Sequence, residues 1–255
     1  MELWQGALIG LVGIASGFAN VMAGGGSLLS IPVLLFFGLP GPVANGTNRI
    51  AILAQNLTAV GTFFRFGHSD FRLSLTLAAA ALPGAIAGAL IGTELGGEWF
   101  DRVVAIVMAG VLVIMLRGET ASPAGNAGDG LAPPDIPRKR LIWGHIAMLG
   151  AGFWGGFIQV GVGFIFMPIL HRVLGLDLVR VNMHKVFIIL VYTIAALAIF
   201  ASRVEIAWAM GLALAAGNAI GGYLGTRVTI GKGERIVRLV LYTALVIFMI
   251  RLLLF

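Results

Sequence analysis

Apolar residues fall in long runs from end to end of the chain, and polar residues gather at the joints between them. Runs that could form spanning helices, which need about 20 apolar residues, occupy 3–22, 44–64, 71–93, 100–116, 141–159, 181–200, 206–225 and 236–255. Two further runs, 27–37 and 164–174, have 11 residues each and would reach only about 16 Å as helix. Each follows a glycine cluster and precedes a turn, so both read as half-helices or pieces of broken helices. The segment 119–137, ETASPAGNAGDGLAPPDIP, has no apolar run and reads as a polar linker. It sets the expected organisation: a first membrane repeat at 1–118, a linker with a basic end at 119–140, and a second repeat at 141–255.

Composition sharpens this picture. Of the 255 residues 59% are hydrophobic and 11% charged, with a mean hydropathy of +0.99. A soluble domain carries about 25% charged residues, so a soluble enzyme, a nucleic-acid binder and a disordered tail are all excluded. The net charge of +6 reflects cations at the ends of apolar runs, the placement expected of membrane flanks. The start, Met1-Glu2-Leu3-Trp4, has no basic leader, and the first run is read as a retained helix. There is no Cys, hence no disulfide or thiolate metal site.

The two halves match in order. Gly17-Phe18 corresponds to Gly152-Phe153, and Gly24 to Gly26 to Gly161-Val162-Gly163. Pro32 corresponds to Pro168, Gly38-Leu39 to Gly175-Leu176, and Asn45 to Asn182. Gly84, Gly88 and Gly92 correspond to Gly217, Gly221 and Gly225, a spacing suited to close helix packing. Nearly constant offsets imply an internal duplication. With five segments per half, twelve of the 17 Lys and Arg fall near one face, among them Arg65, Arg72, Arg138 and the basic stretch at 227–238. Arg102, Arg203 and Arg251 are left near the other. The positive-inside bias then places the linker inside and both termini outside. An odd number of segments inverts the second half relative to the first, and inverted repeats with paired broken helices are a transporter signature. The expected fold class is therefore all-α: a polytopic membrane protein of two inverted repeats, with short or broken helices near the midplane.

Polar residues inside apolar runs mark the candidate site, because burial in hydrocarbon is costly without a partner. The turn at Gly38 to Pro42 leads into Asn45, Thr47, Asn48 and Arg49, and Gly175-Leu176-Asp177 leads into Asn182, His184 and Lys185. A helix start attracts anions through its amides and dipole, and Arg49 adds a planar set of donors. The alternatives are that the Asn residues cap helices and that Arg49 and Lys185 snorkel to an interface. Gly25, Gly26, Gly161 and Gly163 supply bare amides that could form nests or hinges, with Gln159, Asn20 and Ser27 nearby. No Asp or Glu lies inside a clear span, which argues against a proton relay or cation site. The four His have no metal spacing, and no nucleotide loop or nucleophile motif is present. No catalytic residue, metal or cofactor is expected.

These motifs resemble those of the TauE/SafE sulfite exporter family of bacterial-type membrane permeases. The resemblance rests on GFANVMAGGGSLLSIPVLLFFGLPGPVANGTNRIA, on GFWGGFIQVGVGFIFMPILHRVLGLDLVRVNMHK, and on the GHSDFRLSL and GAIAGALIG runs. It implies export, or in some members uptake, of sulfite, thiosulfate, sulfoacetate or similar anions from a multi-pass protein of the inner cell membrane. Asn182-Met183-His184-Lys185 departs from the small residue and Thr or Ser common in the family. The lack of Cys separates the chain from cysteine-dependent thiosulfate importers. The expected partners are a small anionic substrate and the lipid bilayer, not nucleic acid, with a homodimer as an option. Rival readings are uptake of another anion or a neutral solute, and a membrane enzyme or assembly factor. The topology is testable with single cysteines at position 126 and at the C-terminus, which should react with an impermeant thiol reagent from opposite sides of the membrane; reaction of both from the same side sinks the arrangement.

Overall fold

The computed structural model describes residues 2–97, 99–100, 102–103, 106, 110 and 136–254, with side chains up to residue 231. Of the expected segment 100–116 only residues 100, 102, 103, 106 and 110 are described, and the linker 119–135 lies outside the described residues. Among the described residues the chain is helical without strands. In order come α1 (Leu3–Ala23), α2 (Ser27–Phe36), α3 (Gly41–Arg65), α4 (Phe71–Gly92), α5 (Arg138–Phe157), α6 (Val162–Pro168), α7 (Leu178–Arg203) and α8 (Trp208–Leu254). A π-helical turn, Ile169–Val173, extends α6 and takes in His171. Helices α1, α4 and α7 are each long and apolar enough to cross a membrane.

Local chemistry fixes the helix boundaries. Pro40 precedes α3 and Pro42 sits in its first turn, where the missing N–H costs nothing. Asp177 caps α7 by accepting from the amides of Val179 and Arg180, both at 3.0 Å. Asp70 caps α4 through the Leu73 amide at 3.1 Å. Asn45 and Asn182 are not caps; they lie inside α3 and α7, fully buried.

The short helices fold back on their predecessors. Gly24 adopts φ 80° and Gly161 φ 66°, left-handed conformations that let the chain reverse. The α2 end returns to the α1 start, where Trp4 and Phe37 rings lie 6.3 Å apart. Likewise Leu174, beyond α6, packs on Gly144 near the α5 start. Helices α3 and α7 run antiparallel: Val60 and Phe63 pack with Met183 and Val186 at one end, while Gly46 faces Phe200 at the other. The α1–α2 hairpin enters from the end where α3 begins, and the α5–α6 hairpin from the end where α7 begins. Their tips meet, with the Gly163 amide donating to the Gly24 carbonyl at 3.2 Å.

Two helix pairs make the frame. On α4, a Cβ at Gly84, Gly88 or Gly92 would overlap the carbonyl oxygens of Leu149, Phe153 or Phe157 on α5. On α8, Gly217 and Gly221 meet the carbonyls of Gly10 and Ile14 on α1, and Gly225 approaches that of Phe18, in the same way. From the facing side, Gly152 and Gly156 meet Ala81 and Ala85, as Gly13 and Gly17 meet Leu214 and Asn218. Such backbone contact is how small residues hold membrane helices together. It also corrects the repeat register by one turn: in the packing Gly13 takes the role of Gly152, and Gly17 that of Gly156. The shift arises because α1 stays helical to Ala23, whereas α5 ends at Phe157 and leaves 158–161 outside a helix.

The C-terminal part differs from expectation. Trp208–Leu254 is one helix of 47 residues, about 70 Å long, where the sequence suggests two spans with a basic turn at 227–238. Gly231 and Gly233 weaken a helix without breaking it, and the stretch has no Pro to stop the ladder. The turn on which the outside placement of the C-terminus rested is therefore absent.

The glycine contacts generate a prediction. Gly88→Leu should destabilise the assembled protein by about 1–3 kcal/mol or more, read as a lower melting temperature. Gly61→Ala, on an exposed face of α3 with open space around it, should be neutral or stabilise by up to about 1 kcal/mol. Equal tolerance at the two positions would show that backbone contact does not hold α4 to α5.

Candidate functional site

The polar residues of the sequence pattern converge on the hairpin tips. Arg49 stands eight residues into α3 and is fully buried. Its Nη1 donates to the Gly155 carbonyl at 3.1 Å and to Gln159 Oε1 at 3.4 Å, and its Nη2 donates to the Gly156 carbonyl. The guanidinium lies 4.4 Å from the Phe200 ring centroid. Lys185 stands seven residues into α7, 1% exposed. Its ammonium donates to the carbonyls of Asn20 at 3.2 Å and Val21 at 2.8 Å, and to Asn182 Oδ1 at 2.7 Å. Neither cation snorkels.

Each cation thus reaches the last turn of a helix in the other half. Carbonyls in a last turn lack partners within the helix, although that of Asn20 also accepts from the Gly24 amide at 2.8 Å, and the negative end of the helix dipole favours positive charge. Asn45 adds to this cap, donating from Nδ2 to the Phe157 carbonyl at 2.8 Å. No Asp or Glu is buried among the described residues. Arg180 pairs with Asp177 at 3.3 Å and Arg203 with Glu94 at 3.4 Å, at opposite ends of α7 and away from the two buried cations.

Around the tips lies an amide network. The Gly26 amide donates to Asn20 Oδ1 at 3.3 Å, and Asn20 Nδ2 donates to Gln55 Oε1 at 3.1 Å. On the other tip, Tyr192 donates to Gln159 Oε1 at 3.3 Å. Gln55 and Tyr192 occupy matched positions of α3 and α7, so the Asn20–Gln55 bond and the Gln159–Tyr192 bond are counterparts. Gln159 adopts φ 60°, an uncommon conformation for a residue with a side chain, of the kind found where structure holds a functional group in place.

Other expected residues turn to structural partners. Asn48 accepts from Ser30 Oγ at 2.7 Å and donates to Ser27 Oγ at 3.2 Å, tying α2 to α3. Thr47 accepts from the Ala207 amide at 3.1 Å, fixing the entry to α8. His184 Nδ1 pairs with Ser74 Oγ at 2.7 Å, and Ser74 lines a cleft with His68, Asp70 and Phe71 where α7 begins. The glycines serve tip packing: Gly26 also accepts from Ser16 Oγ at 2.9 Å, Gly25 faces the Phe164 ring, and Gly163 abuts Gly24. Gly161 supplies the left-handed turn. Gln55, Tyr192 and Ser74 were missed in the sequence. The available signal was spacing, since Gln55 and Tyr192 each lie seven residues, two helical turns, beyond Asn48 and Lys185.

Several N–H donors at the tips have no acceptor: Arg49 Nε, Gln159 Nε2, Gln55 Nε2 and Asn182 Nδ2. The amide orientations follow from partners that only donate. Arg49 and Lys185 oblige Gln159 and Asn182 to present oxygen, which leaves their NH₂ groups unpaired. The Gly26 amide fixes Asn20 in the same way, so Gln55 must accept and its NH₂ is left over. Asn45 Oδ1 is an unpaired acceptor beside them.

A helical bundle with apolar spanning helices, two opposed hairpins and a buried polar centre is the build of a membrane transport protein. A family model described as "Sulfite exporter TauE/SafE" matches residues 9–252, and the chain belongs to this family. It is 24% identical over 253 residues to "Probable membrane transporter protein ORF9" of Sinorhizobium sp, covering 97% of this chain and 92% of that protein. It is 26% identical over 236 residues to a "Probable membrane transporter protein" of Haemophilus influenzae, covering 91% and 88%. With "Probable membrane transporter protein YfcA" of Escherichia coli K12 it shares 24% over 230 residues, covering 89% and 81%. No solved structure matches the chain.

Gln159 offers a separation of stability from function. Gln159→Gly removes the left-handed strain, worth about 1 kcal/mol, together with a side chain bonded to both Arg49 and Tyr192. The variant should melt within a few degrees of the parent and lose most of its transport. Full transport would remove the Gln159 side chain from the working site.

Proposed function

We propose that this protein exports a small sulfur-containing oxyanion, sulfite or an organosulfonate, across the inner cell membrane as a multi-pass transporter of two inverted repeats. The observation that carries the reading is the set of unpaired N–H donors beside two buried cations, with no buried carboxylate among the described residues to neutralise them. Buried donors without acceptors are costly, and a buried cation more so. An oxyanion answers both in turn along its path: its charge opposes one cation and then the other, and its oxygens accept from Arg49 Nε and Gln159 at one level and from Gln55 and Asn182 at the other. Sulfur as the central atom follows from the family's description, and a bilayer-embedded site from the apolar helices around it.

The driving force follows from charge. Moving one negative charge out of a cell that is negative inside is favoured by about 2.3 kcal/mol per 100 mV. Export therefore proceeds without a coupling ion, in keeping with the absence of buried carboxylates among the described residues. The inverted arrangement draws support from the two hairpins entering from opposite ends and from the like construction of the α1–α8 and α4–α5 contacts.

Thermal stability of the purified protein tests the anion, because a ligand of the folded state stabilises it by about 2.7 kcal/mol at 100 times its Kd. Sulfite or an organosulfonate such as sulfoacetate should raise the melting temperature, while a neutral solute should not. In liposomes Arg49→Gln should lower flux by about tenfold or more, and Arg49→Lys should recover part of it, since charge returns without the planar fork. Absence of any anion-induced shift, with flux of a neutral solute intact, would overturn the proposal.

A further inference from the structure

The two buried cations sit at different depths in the bundle. Arg49 lies eight residues from the α3 start, and Lys185 seven residues from the α7 start. Because α3 and α7 run antiparallel, these starts are at opposite ends. Val60 and Phe63 pack with Met183 and Val186, which sets the Lys185 backbone level with about residue 61 of α3, roughly 18 Å from that of Arg49 along the bundle. Between these levels the hairpin tips touch at Gly24 and Gly163.

Each cation joins an element of one half to an element of the other. Arg49 ties α3 of the first half to the α5 tip of the second, helped by Asn45 on Phe157. Lys185 ties α7 of the second half to the α1 tip of the first. The bonds are charge-assisted and lie in a buried setting, where such bonds are strongest. We propose that Arg49 and Lys185 are positioning residues forming two latches, one closing the centre toward the end where α3 begins and the other toward the end where α7 begins. Both latches are shut here, and the residues at the tips are buried. Access from one end then requires release of that end's latch while the other holds.

The latches also explain why the cations differ. All three protons of the Lys185 ammonium are taken, by Asn20, Val21 and Asn182. Arg49 keeps Nε unpaired while holding its carbonyls. An anion can therefore meet Arg49 with its latch closed, whereas contact with Lys185 must displace one of the acceptors that close the other end. This inference rests on the chain being a transporter, not on which solute it carries.

The test uses the natural absence of Cys. Ser27→Cys places a thiol at the first hairpin tip, at a site 2% exposed. In vesicles without substrate, an impermeant thiol reagent is added to one side or the other. Adding Lys185→Gln should raise the labelling rate by about tenfold or more from the side where α7 begins and leave the other side unchanged. Arg49→Gln should do the reverse. If either variant does not assemble, Asn182→Ala and Phe200→Leu, which remove one contact of each cation, should give the same opposite-sided increases at smaller size. Increases from the same side in both variants, or assembled variants labelling like the parent from both sides, overturn the latches. Since no anion is present, failure here leaves the anion reading standing, and a failed anion shift leaves the labelling result interpretable.

Discussion

A guanidinium and an ammonium buried in a membrane bundle must be solvated by the protein itself, and here helix C-termini do it. The last turns of α1 and α5 expose carbonyls that no later residue of the same helix can satisfy. Arg49 and Lys185 fill that need from the opposite halves, at Gly155 and Val21. Two problems, each expensive alone in a low-dielectric interior, thus solve each other. The breaks after α1 and α5, the hairpins they create and the crossed pairing of halves all serve this exchange. A continuous helix at either position would offer no free carbonyls to a cation at mid-depth.

Glycine makes the exchange reachable. The α4–α5 and α1–α8 pairs approach until backbone meets backbone, which brings the hairpin tips within reach of α3 and α7. Side chains larger than hydrogen at these positions would hold the helices apart by an ångström or more and lengthen the hydrogen bonds that the cations make. The polar centre therefore depends on a frame in which small residues recur every four positions. Membrane helices gain little from burying apolar side chains against one another, since lipid is equally apolar, so close packing and buried polar bonds bear most of the assembly.

The two halves share this plan but not its chemistry. On the first tip Asn20 bonds to Gln55, two amides; on the second Gln159 bonds to Tyr192, whose ring stacks near Phe166 at 6.1 Å. Gly155 makes room for that ring, since a Cβ there would meet the Tyr192 hydroxyl at 2.5 Å. One side of the centre is thus rich in amides and the other carries an aromatic wall with a guanidinium on Phe200.

The apolar runs, their lengths and the glycine clusters between them determined the helical membrane class and the positions of the paired breaks, because hydropathy and backbone freedom act locally. The same local reasoning singled out Arg49 and Lys185, as cations inside apolar runs, and the TauE/SafE resemblance. Only the tertiary structure decided what those cations touch: Arg49 meets a carbonyl 106 residues away and Lys185 one 165 residues away. It likewise placed Tyr192 and Gln55 at the tips, turned Thr47 and His184 toward structural partners, and shifted the repeat register by one turn. It also replaced an expected turn near 230 by continuous helix. Such outcomes follow from which helix surfaces can approach most closely, and that depends on small residues in two distant segments at once rather than on either segment's own composition.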